Sequence, residues 1–315
     1  MLYVLLGVLG GGCTPVQTAV NSRLRRAVGS PLKASMVSFA VGSLALLAVV
    51  LVLGPYPMVP AGAWNGPWWI WIPGLFGVYF LTGNVVAMPH LGSLQTVAMP
   101  VIGQILAGLA IDAFGWFGSA RHPLTILRVI GALLVAAGFL LAVVLANRDD
   151  GAKRRADAAT RANRSAAAVW LWRLFAVSMG ISSAVQTAIL GRLGLALGSP
   201  IKASLVSFLL GFLAMVLVVG CMNRNYDLRG ALETRQPRWM WLGGLLGAMV
   251  VLTNAALAPR LGTGLTVVVV LIGQVAGGVL IDHFGWLEVP RRPVNVLKVI
   301  GLIVAFAGVA MIRLV

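Results

Sequence analysis

Gly29-Ser30-Pro31-Leu32-Lys33-Ala34-Ser35-Met36-Val37-Ser38-Phe39 returns 169 positions later as Gly198-Ser199-Pro200-Ile201-Lys202-Ala203-Ser204-Leu205-Val206-Ser207-Phe208. Carried on to Gly42 and Gly211, 10 of 14 positions are identical. A match of that length marks an internal duplication, and repeats have to be found before any single segment is read. In each copy, Ser before Pro predicts a helix start. The hydroxyl caps, and Pro takes the first helical position, where its missing N–H costs nothing. A long apolar run follows each copy, so the chain consists of two related halves.

The likeness extends well beyond the phrase. Gln17-Thr18 matches Gln186-Thr187, Trp69 and Trp71 match Trp239 and Trp241, and Asn84 matches Asn254. Gly103-Gln104 matches Gly273-Gln274, and Ile111-Asp112-x-Phe114-Gly115-Trp116 matches Ile281-Asp282-x-Phe284-Gly285-Trp286. Of the 315 residues, 59% are hydrophobic and 10% charged, against about a quarter charged in soluble domains. The 38 glycines sit largely inside apolar runs, where membrane helices accept them for close backbone approach. The expected class is therefore an all-α polytopic membrane protein. The net charge of +16 would suggest nucleic acid in a soluble chain. Here the cations lie between hydrophobic spans, and no nucleic-acid partner is expected. Cys13 and Cys221 have no spacing that a metal or a disulfide framework needs.

A span takes about 20 apolar residues. Five such runs occur in the first half, at 2–20, 32–53, 68–88, 94–111 and 124–146, and five in the second, at 167–190, 201–222, 239–257, 265–281 and 294–314. The first run has no basic stretch before it, as a cleavable signal would, and is expected to stay as a helix. The boundaries predicted are a first repeat at 1–147, a charged cytoplasmic linker at 148–166 and a second repeat at 167–315.

Five is odd. With a linker that does not cross the membrane, the second half must insert upside down. An N-terminus outside places 18 of the 24 Lys and Arg residues on the cytoplasmic face, as the positive-inside rule asks. Both termini are then expected outside. The fold expected is ten transmembrane helices in two inverted five-helix repeats, a construction typical of secondary transporters.

Ten helices in two such halves resemble the drug/metabolite transporter superfamily. The Gln-Thr pair of the first helix, the Gly-Ser-Pro-x-Lys-Ala-Ser-x-x-Ser-Phe start of the second and the Gly-Gln of the fourth resemble its YdcZ branch, in the fused two-copy form. The resemblance covers nearly the whole chain apart from the linker. It implies an inner-membrane, multi-pass transporter of small molecules. Small multidrug members of that superfamily carry a carboxylate in mid-membrane on the first helix. Here all 8 acidic residues fall at span ends or in loops, which disfavours cation–proton exchange by that route.

The polar groups at membrane depth are neutral. Gln17, Gln186, Gln104, Gln274, Asn84 and Asn254 need partners, because an unpaired amide in hydrocarbon costs several kcal/mol. They either bond between helices or line a midplane cavity that takes a neutral or zwitterionic solute. Trp71 and Trp241 are candidates for the cavity wall or for an interfacial belt. Lys33 and Lys202 sit in the first turn of their helices, where the macrodipole favours an anion. They contact lipid phosphate, or they form gates as the pairs Lys33–Asp282 and Lys202–Asp112, one at each face.

His90, His122 and His283 are scattered and assemble no metal or nucleophile site. There is no Gly-rich phosphate loop. The chain is expected to be no enzyme and to need no cofactor, with a small-molecule substrate and the bilayer as its partners, as a sufficient monomer or a homodimer. The competing classes are a membrane scaffold or partner subunit without transport, and a lipid flippase.

Overall fold

The computed structural model of the chain describes residues 2–53, 57–145, 166–232, 236–289, 291 and 294–313. The linker expected at 148–166 lies, but for its last residue, outside them. Among the described residues the chain is all-helical, with ten apolar helices. They are α1 (Leu2–Val28), α2 (Pro31–Leu53), α3 (Pro73–Gly92), α4 (Gln95–Phe114) and α5 (Ile126–Phe139). Then follow α6 (Ala166–Ala196), α7 (Pro200–Met222), α8 (Gly243–Leu261), α9 (Thr263–Phe284) and α10 (Val296–Arg313). Eight are long and apolar enough to cross a membrane, and α5 and α10 are the two shorter ones.

Helix starts follow local chemistry. Ser199 accepts from the Lys202 N–H, and Pro200 opens α7, as its Ser-Pro start predicts. Two starts differ from expectation. The tryptophan-rich stretches at Trp68–Trp71 and Arg238–Leu242 form 3-10 turns, and the α-helices begin only behind them. Between α3 and α4 there is no loop: one glycine, Gly92 (φ 76°, ψ 168°), breaks an otherwise continuous helical run. Its counterpart Gly262 (φ 82°, ψ 163°) does the same between α8 and α9.

The two halves are related by a pseudo-two-fold axis, and equivalent helices run antiparallel. Ser30, at the start of α2, accepts a hydrogen bond from Asn223 at the end of α7. Lys33 reaches the Asp227 carbonyl beyond α7 (3.1 Å), and its counterpart Lys202 reaches the Pro57 carbonyl beyond α2 (2.8 Å). Phe39 and Phe208, themselves counterparts, meet at 5.2 Å between ring centroids. In the α5–α10 pair, Gly131 lies on the Gly308 carbonyl and Gly138 on the Gly301 carbonyl.

Lipid supplies no hydrophobic drive between helices, so close backbone packing has to hold them together. Glycine provides it in matched pairs. A Cβ on Gly11 would strike the Val270 carbonyl, and one on Gly180 would strike the Pro100 carbonyl. Likewise Gly273 seats on the Val8 carbonyl and Gly103 on that of Val177. These contacts lock α1 to α9 and α4 to α6, so each first helix packs on the fourth helix of the other half. A space remains between the halves, around the axis.

Candidate functional site

That space is a cavity of about 610 Å³, within the range of small-molecule sites. Gln17, Gln104, Gln186, Gln274, Asn84 and Asn254 all line it, with Phe39, Phe80, Phe139 and Phe208 among its apolar walls. The sequence repeat places each amide in a symmetry-related pair. Room for the first-helix amides comes from glycine: Gly247 of α8 lies against Gln17, and Gly77 of α3 against Gln186. Asn84 donates to the Phe80 carbonyl at 2.7 Å. The Asn254 Oδ1 is buried without a partner among the described residues. None of the four glutamine side chains forms a hydrogen bond with a described residue. The glutamine amides thus present donors and acceptors to the cavity.

The cavity is open at one rim. A vestibule of about 710 Å³, lined by Thr18, Ser22, Arg25, Arg26 and Glu288, shares Thr14, Gln274 and Asp282 with it. This rim, formed by the ends of α1 and α9 and the start of α10, is the basic one. Glu288 bridges to Arg26 at 2.8 Å and to Arg23 at 3.5 Å along its edge. Such exposed pairs contribute roughly 0–1 kcal/mol. At the inner end of the vestibule, Lys298 Nζ donates to Asp282 Oδ2 at 3.5 Å, and their side chains are 5% and 33% exposed.

The opposite rim is closed. Asp112, only 3% exposed, ends α4 and accepts from the backbone N–H groups of Thr263 (2.7 Å) and Gly264 (2.9 Å), the first two residues of α9. Charge-assisted bonds at a helix N-terminus combine hydrogen bonding with a favourable dipole. Ser119 and Thr263 bond through their hydroxyls at 3.0 Å, and Gly108 and Gly264 are in backbone contact. Trp69 meets Phe117 edge-on at 5.5 Å above them.

Other expected site residues lie elsewhere. Neither Lys33–Asp282 nor Lys202–Asp112 forms. Both lysines are nearly buried and bound to loop carbonyls of the other half, because antiparallel pairing of α2 with α7 brings those loops over them. Trp71 stacks on Trp64 at 4.9 Å, and Trp241 packs beside Met240 and Leu24. Neither lines the cavity, since both belong to segments before their helices begin. Sequence reasoning missed Lys298, which it counted only among the cations of the cytoplasmic face. A usable signal was present: an acid is followed 16 positions later by a base in both copies, Asp112 by Arg128 and Asp282 by Lys298.

A family model described as “Putative inner membrane exporter, YdcZ” matches the chain twice, over residues 2–141 and 171–311. The curated “Inner membrane protein YdcZ” of Escherichia coli (strain K12) is 36% identical over 75 residues, which is 22% of this chain. The chain spans about half the length of that relative, 50% of it. One solved crystal structure shares the fold, with a TM-score of 0.69, 15% identity, and coverage of 99% of this chain and 96% of its own.

Proposed function

Since the chain belongs to the YdcZ family of the drug/metabolite transporter superfamily, as a two-copy member, we propose that it is a secondary transporter that moves a small neutral or zwitterionic solute by alternating access. The observation that supports this is the midplane cavity itself: four glutamine amides, unbonded to described residues, face a space open at one end and sealed at the other. A scaffold would have no use for them, because leucine would pack there at no polar cost. The cavity lies between the two halves of one chain, so one copy carries a complete site.

With both termini outside, the basic rim faces the cytoplasm, as the positive-inside rule favours, and the conformation is inward-open. The amides serve as paired donors and acceptors for the solute, and the phenylalanines bury its apolar part. The chain lies in the inner membrane as a multi-pass protein, with repeats at 1–147 and 167–315 joined by a cytoplasmic linker.

The test is a counterflow screen over neutral, zwitterionic and charged metabolites in reconstituted vesicles, with and without a proton gradient. One class of solute should be exchanged. The double variant Gln104→Leu/Gln274→Leu should then lose at least 90% of that exchange while remaining monodisperse in detergent. Exchange that survives the double variant would refute the role given to these amides.

A further inference from the structure

Asp112 and Asp282 are counterparts, but they spend their oxygens differently. Asp112 commits both, Oδ1 to the Thr263 N–H and Oδ2 to the Gly264 N–H. Asp282 lines the cavity and its vestibule, and its side chain is 33% exposed. Among the described residues only its Oδ2 accepts a hydrogen bond, from Lys298 Nζ at 3.5 Å, against about 2.8 Å for a close ammonium–carboxylate contact.

Lys298 has capacity left as well. Its side chain is 5% exposed, lines the cavity and makes no second hydrogen bond with a described residue. An ammonium carries three N–H donors, so two of them are unspent. Withdrawing a charge from water for one long contact is costly. A ligand carboxylate would supply what the protein leaves out.

The surroundings leave room for one. Gln274, Gly278 and Asp282 stand on one face of α9 at intervals of four, and all three line both the cavity and the vestibule. A Cβ at Gly278 would meet nothing nearer than 3.9 Å, so the face between the acid and the amide is unobstructed. Phe139 and Phe208 belong to the apolar wall of the same cavity.

The pair is neutral as a whole, and that selects among solutes. An anion gains from Lys298 and is repelled by Asp282, and a cation meets the reverse. An uncharged solute leaves both charges with only each other. A molecule that carries an ammonium and a carboxylate completes both groups and adds no net charge. Because Lys298 and Asp282 are in contact, the two charges of the ligand must also lie close together, as they do when one carbon bears both.

We propose that Lys298 and Asp282 form the subsite for the head group of an α-amino acid. Lys298 takes the carboxylate, Asp282 takes the ammonium, and the side chain extends toward Gln274 and the phenylalanines. The assignment narrows the solute class given above and rests on that reading, but its test is binding and needs no transport.

The probes are leucine, serine and glutamine, each as the free amino acid, the N-acetyl acid, the amide and the N-acetyl amide. These present both charges, the anion, the cation and neither. Binding to the full chain in detergent is read by titration calorimetry and as a rise in thermal midpoint. At least one free amino acid should bind at least tenfold more tightly than each of its three capped forms. Asp282→Asn should turn the preference to the N-acetyl acid, and Lys298→Gln should turn it to the amide.

Either single change leaves one charge uncompensated and could unfold the chain, so Lys298→Gln/Asp282→Asn serves as the second variant. It should stay monodisperse, bind the free amino acid at least tenfold more weakly than the parent, and no longer prefer it to the N-acetyl amide. The proposal is overturned if no free amino acid binds the parent chain, if a capped form binds as tightly as the amino acid it derives from, or if the double variant keeps the preference. Exchange of an uncharged solute by a chain that binds no amino acid would remove this subsite and leave the transport reading standing. Amino-acid binding with the expected preference, in a chain that exchanges nothing, would remove the transport reading alone.

Discussion

Gly180 and Gly194 lie on one helix, α6, and make opposite predictions. A Cβ at Gly180 would run into the Pro100 carbonyl, which is backbone and cannot rotate aside, whereas one at Gly194 meets only ordinary contacts, the nearest at 3.5 Å. Gly180→Ala should lower stability by about 1–3 kcal/mol, seen as a clear drop in the detergent thermal midpoint. Gly194→Ala should hold or raise that midpoint, because Ala exceeds Gly by about 1 kcal/mol in a helix interior. Similar midpoints for the two would contradict the close seating of α6 on α4. Among the polar residues, the six midplane amides were legible in the sequence because nothing but a partner or a cavity explains an amide in an apolar run. The lysines were legible only as anomalies. Lys33 and Lys202 break the charge preference of a helix start, and their actual partners, the Asp227 and Pro57 carbonyls, lie 194 and 145 positions away. No local pattern encodes a contact of that kind.

At the scale of elements, the apolar runs fixed ten helices to within a few residues at most ends, since span length is set by bilayer thickness. The misses occurred where backbone geometry, not hydropathy, decides. The tryptophan segments are as apolar as the helices they precede, yet they form 3-10 turns, and proline at 73 marks the true start of α3. The α3–α4 and α8–α9 junctions were equally hidden, because Gly92 and Gly262 look like any other membrane glycine. Their φ and ψ values lie in a region open essentially to glycine alone, where other residues pay roughly 1–3 kcal/mol. Gly92→Ala and Gly262→Ala should both lower the thermal midpoint. At Gly262 the added Cβ would also sit 2.7 Å from the Asp112 Oδ2. An unchanged midpoint for Gly262→Ala would argue that the Asp112 cap adds nothing to the closed rim. The Ile-Asp-x-Phe-Gly-Trp motif also gains its meaning here. Gly115 and Gly285, at φ 68° and 67°, end α4 and α9 in the left-handed conformation, as helix C-termini often do.

For the whole molecule, the inversion follows from antiparallel counterparts: the start of α2 meets the end of α7, and Gly131 and Gly138 meet Gly308 and Gly301 in reverse order. Which rim faces the cytoplasm is set by charge alone. Alkaline phosphatase fused behind Val315 should be active in the periplasm, and the same enzyme inserted between residues 150 and 160 should be inactive. The reverse pattern would turn the cavity mouth outward and make the present state the one that faces the periplasm.

Duplication, helix number and the membrane class were determined by the sequence, because each rests on short-range features: repeated words, apolar runs of a set length, and the parity of five spans. The existence of midplane amides belongs to the same level. That these amides surround one cavity, that Lys298 belongs to it, and that one rim is sealed while the other is open were decided by tertiary structure. The two halves repeat one set of motifs and yet differ in their contacts, with Asp112 on the α9 N-terminus and Asp282 on Lys298. Which partner a carboxylate takes is not written in local pattern, because the candidate partners lie on helices that only packing brings together.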